Sequence, residues 1–83
     1  MNATATRTNG VITVTLPGGK VRTINGKRAA AAEAVMVGQW STDGAWAVTV
    51  SSSVAAARKA QARESKPAYE GGPRLTNTAV IVL

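Results

Sequence analysis

Apolar and polar side chains alternate from Val11, with Ile12, Val14 and Leu16 set against Val11, Thr13 and Thr15. A period of two predicts a half-buried strand over residues 11–16. Pro17-Gly18-Gly19 interrupts it. Proline fixes φ for the second position of a turn and glycine accepts the positive φ of the third, so the chain reverses there. Residues 20–24 return as a second strand through the β-branched Val21, Thr23 and Ile24, which makes a hairpin.

Asn25 suits the cap of a following helix, and the four alanines at 29–32 carry high helix propensity toward Met36. Ala29, Ala32, Met36 and Trp40 recur at helical spacing, so the pattern predicts one helical face that ends near Gly38. Ser41-Thr42-Asp43-Gly44 has turn chemistry, and residues 45–50 predict a third strand with Trp46, Val48 and Val50 on one side. Ser51, Ser52 and Ser53 offer caps for a second helix over 54–63, which Lys66-Pro67 prevents from continuing. Residues 69–77 read as a loop. Residues 78–83, apolar throughout after Thr78, read as a strand lying inside a sheet. The expected fold is a two-layer α+β domain in the order ββαβαβ, a four-stranded mixed sheet backed by two helices. It spans residues 10–83, and residues 1–9 form a flexible tail.

Composition narrows the chemistry. At 83 residues the chain buries only about 60% of the surface its unfolded form exposes, so the core is thin. It contains no Cys and no His. No disulfide or thiolate metal site is available, and neither is the commonest general base. The four acids, Glu33, Asp43, Glu64 and Glu70, are spread singly, which suits neither a metal site nor a paired-carboxylate mechanism. Gly19-Lys20 and Gly26-Lys27 each lack the upstream glycine and the following Ser or Thr of a phosphate loop. A Ser–Lys pair from Ser51, Ser52 or Ser53 with Lys59 would need a buried, neutral lysine, which an exposed basic helix does not supply. The expectation is a binding protein with no catalytic residues, no cofactor and no metal.

Charge points to the partner. Ten Lys and Arg face four acids for a net charge of +6, so at least six cations stay unneutralised even if every acid is paired. Such an excess favours an acidic protein surface, a ribonucleoprotein complex, DNA or RNA. At about 100° per residue, Arg58, Lys59 and Arg63 fall on one half of the second helix, and Ala57, Ala60 and Glu64 fall on the other. Lys66 extends this first basic face, the expected partner-binding site. Lys20, Arg22, Lys27 and Arg28 form a second cluster around the hairpin and helix entry. Only Trp40, Trp46 and Tyr69 are aromatic, a thin basis for stacking single-stranded nucleic acid. No run approaches the roughly 18 apolar residues of a membrane span, and the first seven residues lack the apolar core of a signal peptide.

The alanine-rich helices joined to short strands, Arg28-Ala29-Ala30-Ala31-Ala32-Glu33-Ala34 and Trp46-Ala47-Val48-Thr49-Val50-Ser51-Ser52-Ser53, give the chain a resemblance. In length, layout and composition it is similar to small orphan proteins of phages that infect GC-rich bacteria, anti-CRISPR proteins among them. The resemblance implies a single α+β domain that acts in the cytoplasm of a bacterial host. There it would bind a host macromolecular complex and inhibit or divert it without doing chemistry. A nucleic-acid-binding protein that sets its basic helix on phosphates is the first alternative, and a small structural protein of a virion is the second. The resemblance assigns no functional residue.

Overall fold

The computed structural model describes residues 3–83. In chain order its elements are β1 (Thr4–Thr8), β2 (Val11–Thr15), β3 (Val21–Ile24), α1 (Lys27–Ala31), β4 (Ala34–Trp40), β5 (Trp46–Ser51), α2 (Val54–Glu64) and β6 (Leu75–Val82). Strands β1, β2 and β3 form one antiparallel sheet in that order. Strands β5, β4 and β6 form a second, with β4 in the middle.

The two sheets pack face to face. Ile12, Val14 and Leu16 are buried against Val35 and Val37 of β4, and Ile24, Trp46, Val48, Val50, Ala79 and Ile81 close around them. Alternate residues of a strand point to opposite faces, so Ala34 and Met36 of β4, also buried, turn the other way. On that side α2 lies across β4, β5 and β6 with Ala57 buried beneath it. The layers are therefore sheet, sheet and helix. Strands β5 and β6 both run antiparallel to β4, hence parallel to each other, and α2 joins them across it.

The four-stranded mixed sheet in the order ββαβαβ is not the fold. The chain remains α+β, but its order is βββαββαβ, in two separate three-stranded antiparallel sheets. Two segments account for the difference. Residues 4–8, expected in a flexible tail, are strand β1; Met1 and Asn2 lie outside the described residues. Asn9 (φ 54°) and Gly10 (φ 77°) form a two-residue hairpin loop of the kind that needs positive φ at both positions. That loop sets Arg7 opposite Ile12 and Ala5 opposite Val14. Residues 34–40, expected in the first helix, are the central strand β4. A run such as Val35-Met36-Val37 suits a helix face or a strand buried on both sides, and covers on both faces decide for the strand.

Helix α1 is consequently only five residues long, and its caps differ from expectation. Gly26, not Asn25, is its N-cap residue, and no side chain caps it. At the other end the Arg7 guanidinium reaches over from β1 and donates to the carbonyl of Ala29 (3.3 Å) and to that of Ala32. A cation at a helix C-terminus satisfies carbonyls that have no partner within the helix. The last strand also starts earlier than the apolar run suggests. Its register against β4 shifts between Val37 and Gln39, and Asn77 sits in this irregularity at φ 50°, donating to Gln39 Oε1 (3.0 Å). Gly38 faces the shift, where a Cβ would come within 3.0 Å of Thr78 and 3.1 Å of Leu75.

Two stability predictions rest on these contacts. Gly38→Val, read by urea denaturation with tryptophan fluorescence, is expected to lose about 1–3 kcal/mol through overpacking. An unchanged midpoint would show that β6 yields freely at the bulge. Arg7→Met keeps the aliphatic stem but removes the donors to α1, and a loss of about 1–2 kcal/mol is expected in the same assay.

Candidate functional site

The second helix forms almost where the sequence places it. Ser53 Oγ accepts a hydrogen bond from the Ala56 N–H (3.0 Å) and caps its start. At its end the Ser65 hydroxyl donates to the Gln61 carbonyl (2.6 Å). Gln61 Nε2 also donates to Thr78 Oγ1 of β6 (3.1 Å), which pins the rotation of the helix on the sheet. With that rotation fixed, Ala56, Lys59, Ala60 and Arg63 line the side that looks along β5.

Across from them stands α1. Its Lys27, Arg28 and Ala31 line the same open groove, of about 660 Å3, and residues 49–52 of β5 and the turn after it supply the rest. Cations from two helices that are distant in sequence thus meet over one strand. The cause is topological: the chain leaves the first sheet through α1, passes into the second at β4, and returns along β5 before entering α2. The lining is otherwise small (alanine, serine, threonine and Val50), so nothing bulky fills the space between the cations.

Of the basic residues singled out in the sequence, the structure brings together Lys59 and Arg63 from the first face with Lys27 and Arg28 from the second. It does not bring Arg58, Lys66, Lys20 or Arg22 into the groove. All four are exposed and absent from its lining. Glu64 is not turned away from the cations either. Its Oε1 lies 3.5 Å from Arg63 Nε, with the Arg63 side chain 74% and the Glu64 side chain 39% exposed. A pair that open to water contributes little, so Arg63 keeps most of its capacity for another partner. It is the only ion pair among the described residues, so Lys27, Arg28 and Lys59 have no carboxylate at salt-bridge distance.

A smaller depression of about 260 Å3 adjoins the groove and shares Thr49, Ala60 and Arg63 with it. Its other walls are apolar or acidic: Met36, Trp40, Ala47, Leu75 and Glu64. Trp40 is therefore at a surface beside the site, whereas Trp46 packs between the sheets. Sequence reasoning missed the contributions of Ala31, Thr49, Val50, Ser51, Ser52 and Ala56, and it set Ala60 on the other half of the helix from Lys59 and Arg63. The one signal that could have found part of them is the shared spacing of Ala56, Lys59, Ala60 and Arg63, which lie at i, i+3, i+4 and i+7.

No three His, Cys, Asp or Glu side chains come together among the described residues. None of their helices is long and apolar enough to cross a membrane. Compared with protein-family models, curated proteins and solved structures, the chain finds no match.

Proposed function

We propose that this is a small basic binding protein that does no chemistry and docks through the groove between α1 and α2 on an acidic partner. In the manner of a phage-encoded accessory factor, it would inhibit or divert the host complex that carries that acidic surface. The observation behind this reading is the meeting of Lys27, Arg28, Lys59 and Arg63 around one open groove whose lining contains no carboxylate. Cations of one sign around a single groove add their potentials, which favours an anionic partner there. Arginine adds a planar fork suited to bidentate contacts with carboxylates, which lysine does not offer.

The test compares two fourfold variants of identical net charge. Lys27, Arg28, Lys59 and Arg63 are replaced by Gln in one, and Lys20, Arg22, Arg58 and Lys66 in the other. Binding to fluorescent poly-L-glutamate is expected to fall about tenfold, or about 1.4 kcal/mol, in the first variant and no more than about twofold in the second. Thermal stability of both should stay within about 1 kcal/mol of the parent, because exposed charges contribute little to folding. Equal losses in the two variants would mean that net charge, not the groove, attracts the partner. A duplex DNA oligonucleotide serves as the competing probe. Tighter binding to it, with a log–log salt slope of about −0.9 per neutralised phosphate, would assign the cations to nucleic acid.

A further inference from the structure

Strand β5 is an edge of its sheet, hydrogen-bonded to β4 alone. The orientation of its backbone is set at both ends, where the Trp40 N–H donates to the Ala45 carbonyl (2.9 Å) and the Glu33 N–H to the Ser51 carbonyl (2.9 Å). In an antiparallel pair, successive residues turn their backbone groups alternately toward and away from the partner strand. Ala47, Thr49 and Ser51 therefore face β4, and the N–H and C=O groups of Trp46, Val48 and Val50 face outward. Among the described residues no other segment bonds to them. The groove lies along the C-terminal half of this open edge, and its four cations flank it.

We infer that the groove takes its partner as an extended acidic polypeptide segment, added to the second sheet as a strand beside β5. The inference rests on the reading of the groove as an anion-binding surface and goes further by naming what the anion is attached to. Three observations favour a polypeptide. First, the edge presents donors and acceptors in alternation. A phosphodiester backbone offers acceptors only and would leave the outward carbonyls of Trp46, Val48 and Val50 without partners, whereas an added strand answers both. Second, no aromatic side chain lines the groove, so bases would find nothing to stack on.

Third, the spacings agree. Lys59 and Arg63 are four residues apart on a helix, about 6 Å along its axis at roughly 1.5 Å per residue. Alternate residues of a strand are separated by about 6.6 Å at roughly 3.3 Å each. Two carboxylates at alternate positions of an added strand therefore meet the two cations of α2 in step. The same charges exclude the competing occupant. A second copy of this chain, at net charge +6, would bring its own cations to the edge, and like charge is a standard guard against edge-to-edge association.

The probe is an eight-residue peptide that alternates Glu and Val, with blocked termini. Hydrogen exchange of the bound protein, followed by NMR, is expected to slow at the Trp46, Val48 and Val50 amides by about tenfold or more. The Ala47, Thr49 and Ser51 amides, already bonded to β4, should be unchanged. A second peptide with the same side chains but N-methylated at alternate residues cannot donate to the edge, and its affinity should fall by about tenfold or more. Equal affinity of the two peptides with no protection at the three amides would overturn strand addition, yet leave the basic groove standing. So would binding of poly-L-glutamate without binding of the alternating peptide. If replacing Lys27, Arg28, Lys59 and Arg63 by Gln changed nothing for either peptide, the reading of the groove itself would fall.

Discussion

The burial of β4 on both of its faces is the constraint from which the other features of the molecule descend. Residues 34–38 are all buried, and both edges of the strand are occupied by neighbours, β5 and β6. A strand in that position needs two covers, and a chain of 83 residues has little material from which to build them. One cover is the β1–β2–β3 sheet, whose Ile12, Val14 and Leu16 meet Val35 and Val37. The other is α2, which can lie close to the sheet because its inward positions are small. Gly38 belongs to the same economy of space: at the register shift with β6 there is no room for a side chain.

The groove follows from the way these covers are attached. Helix α2 is narrow in side-chain volume, so it shields Met36 and Leu75 but leaves the β5 side of the sheet open, and Lys59 and Arg63 stand along that side. The short α1 connects the two sheets and carries Lys27 and Arg28 to the same place. A helix of five residues has little stability of its own, and here it is tied down by Arg7 from the opposite end of the first sheet. Strand β1 therefore acts on the site at a distance. It holds one wall of the groove in position without contributing a residue to its lining.

Electrostatics and hydrogen bonding then act on one surface together. Edge strands are commonly protected by lysine, proline or a bulge, and β5 has cations beside it and no proline within it. The charge that discourages pairing with another basic surface would, on the proposed reading, attract an acidic one. The opposite edge, β6, is handled differently: its register against β4 is interrupted beside Asn77, and none of its side chains is charged.

Much of the local structure was legible along the chain. The β2–β3 hairpin followed from alternation and Pro17-Gly18-Gly19, β5 from Trp46, Val48 and Val50, and α2 from its serine caps and the Lys66-Pro67 stop. These elements depend on interactions between residues close in sequence, so their signals are local. The Asn9-Gly10 turn was equally local, but Thr-rich β1 before it has too few apolar residues to show a core-facing side. Residues 34–40 were different in kind. Alanine and valine there satisfy a helical and an extended pattern alike, and only covers supplied by segments far away in sequence select the strand. The candidate site divides in the same way. The sequence alone determined that the chain is basic and that its acids are too few to neutralise it, and it marked two stretches that carry most of the cations. Which half of each stretch shares a groove was decided by the tertiary structure, because α1 leads into β4 and α2 leaves β5, which brings both helices to the β5 side of the second sheet.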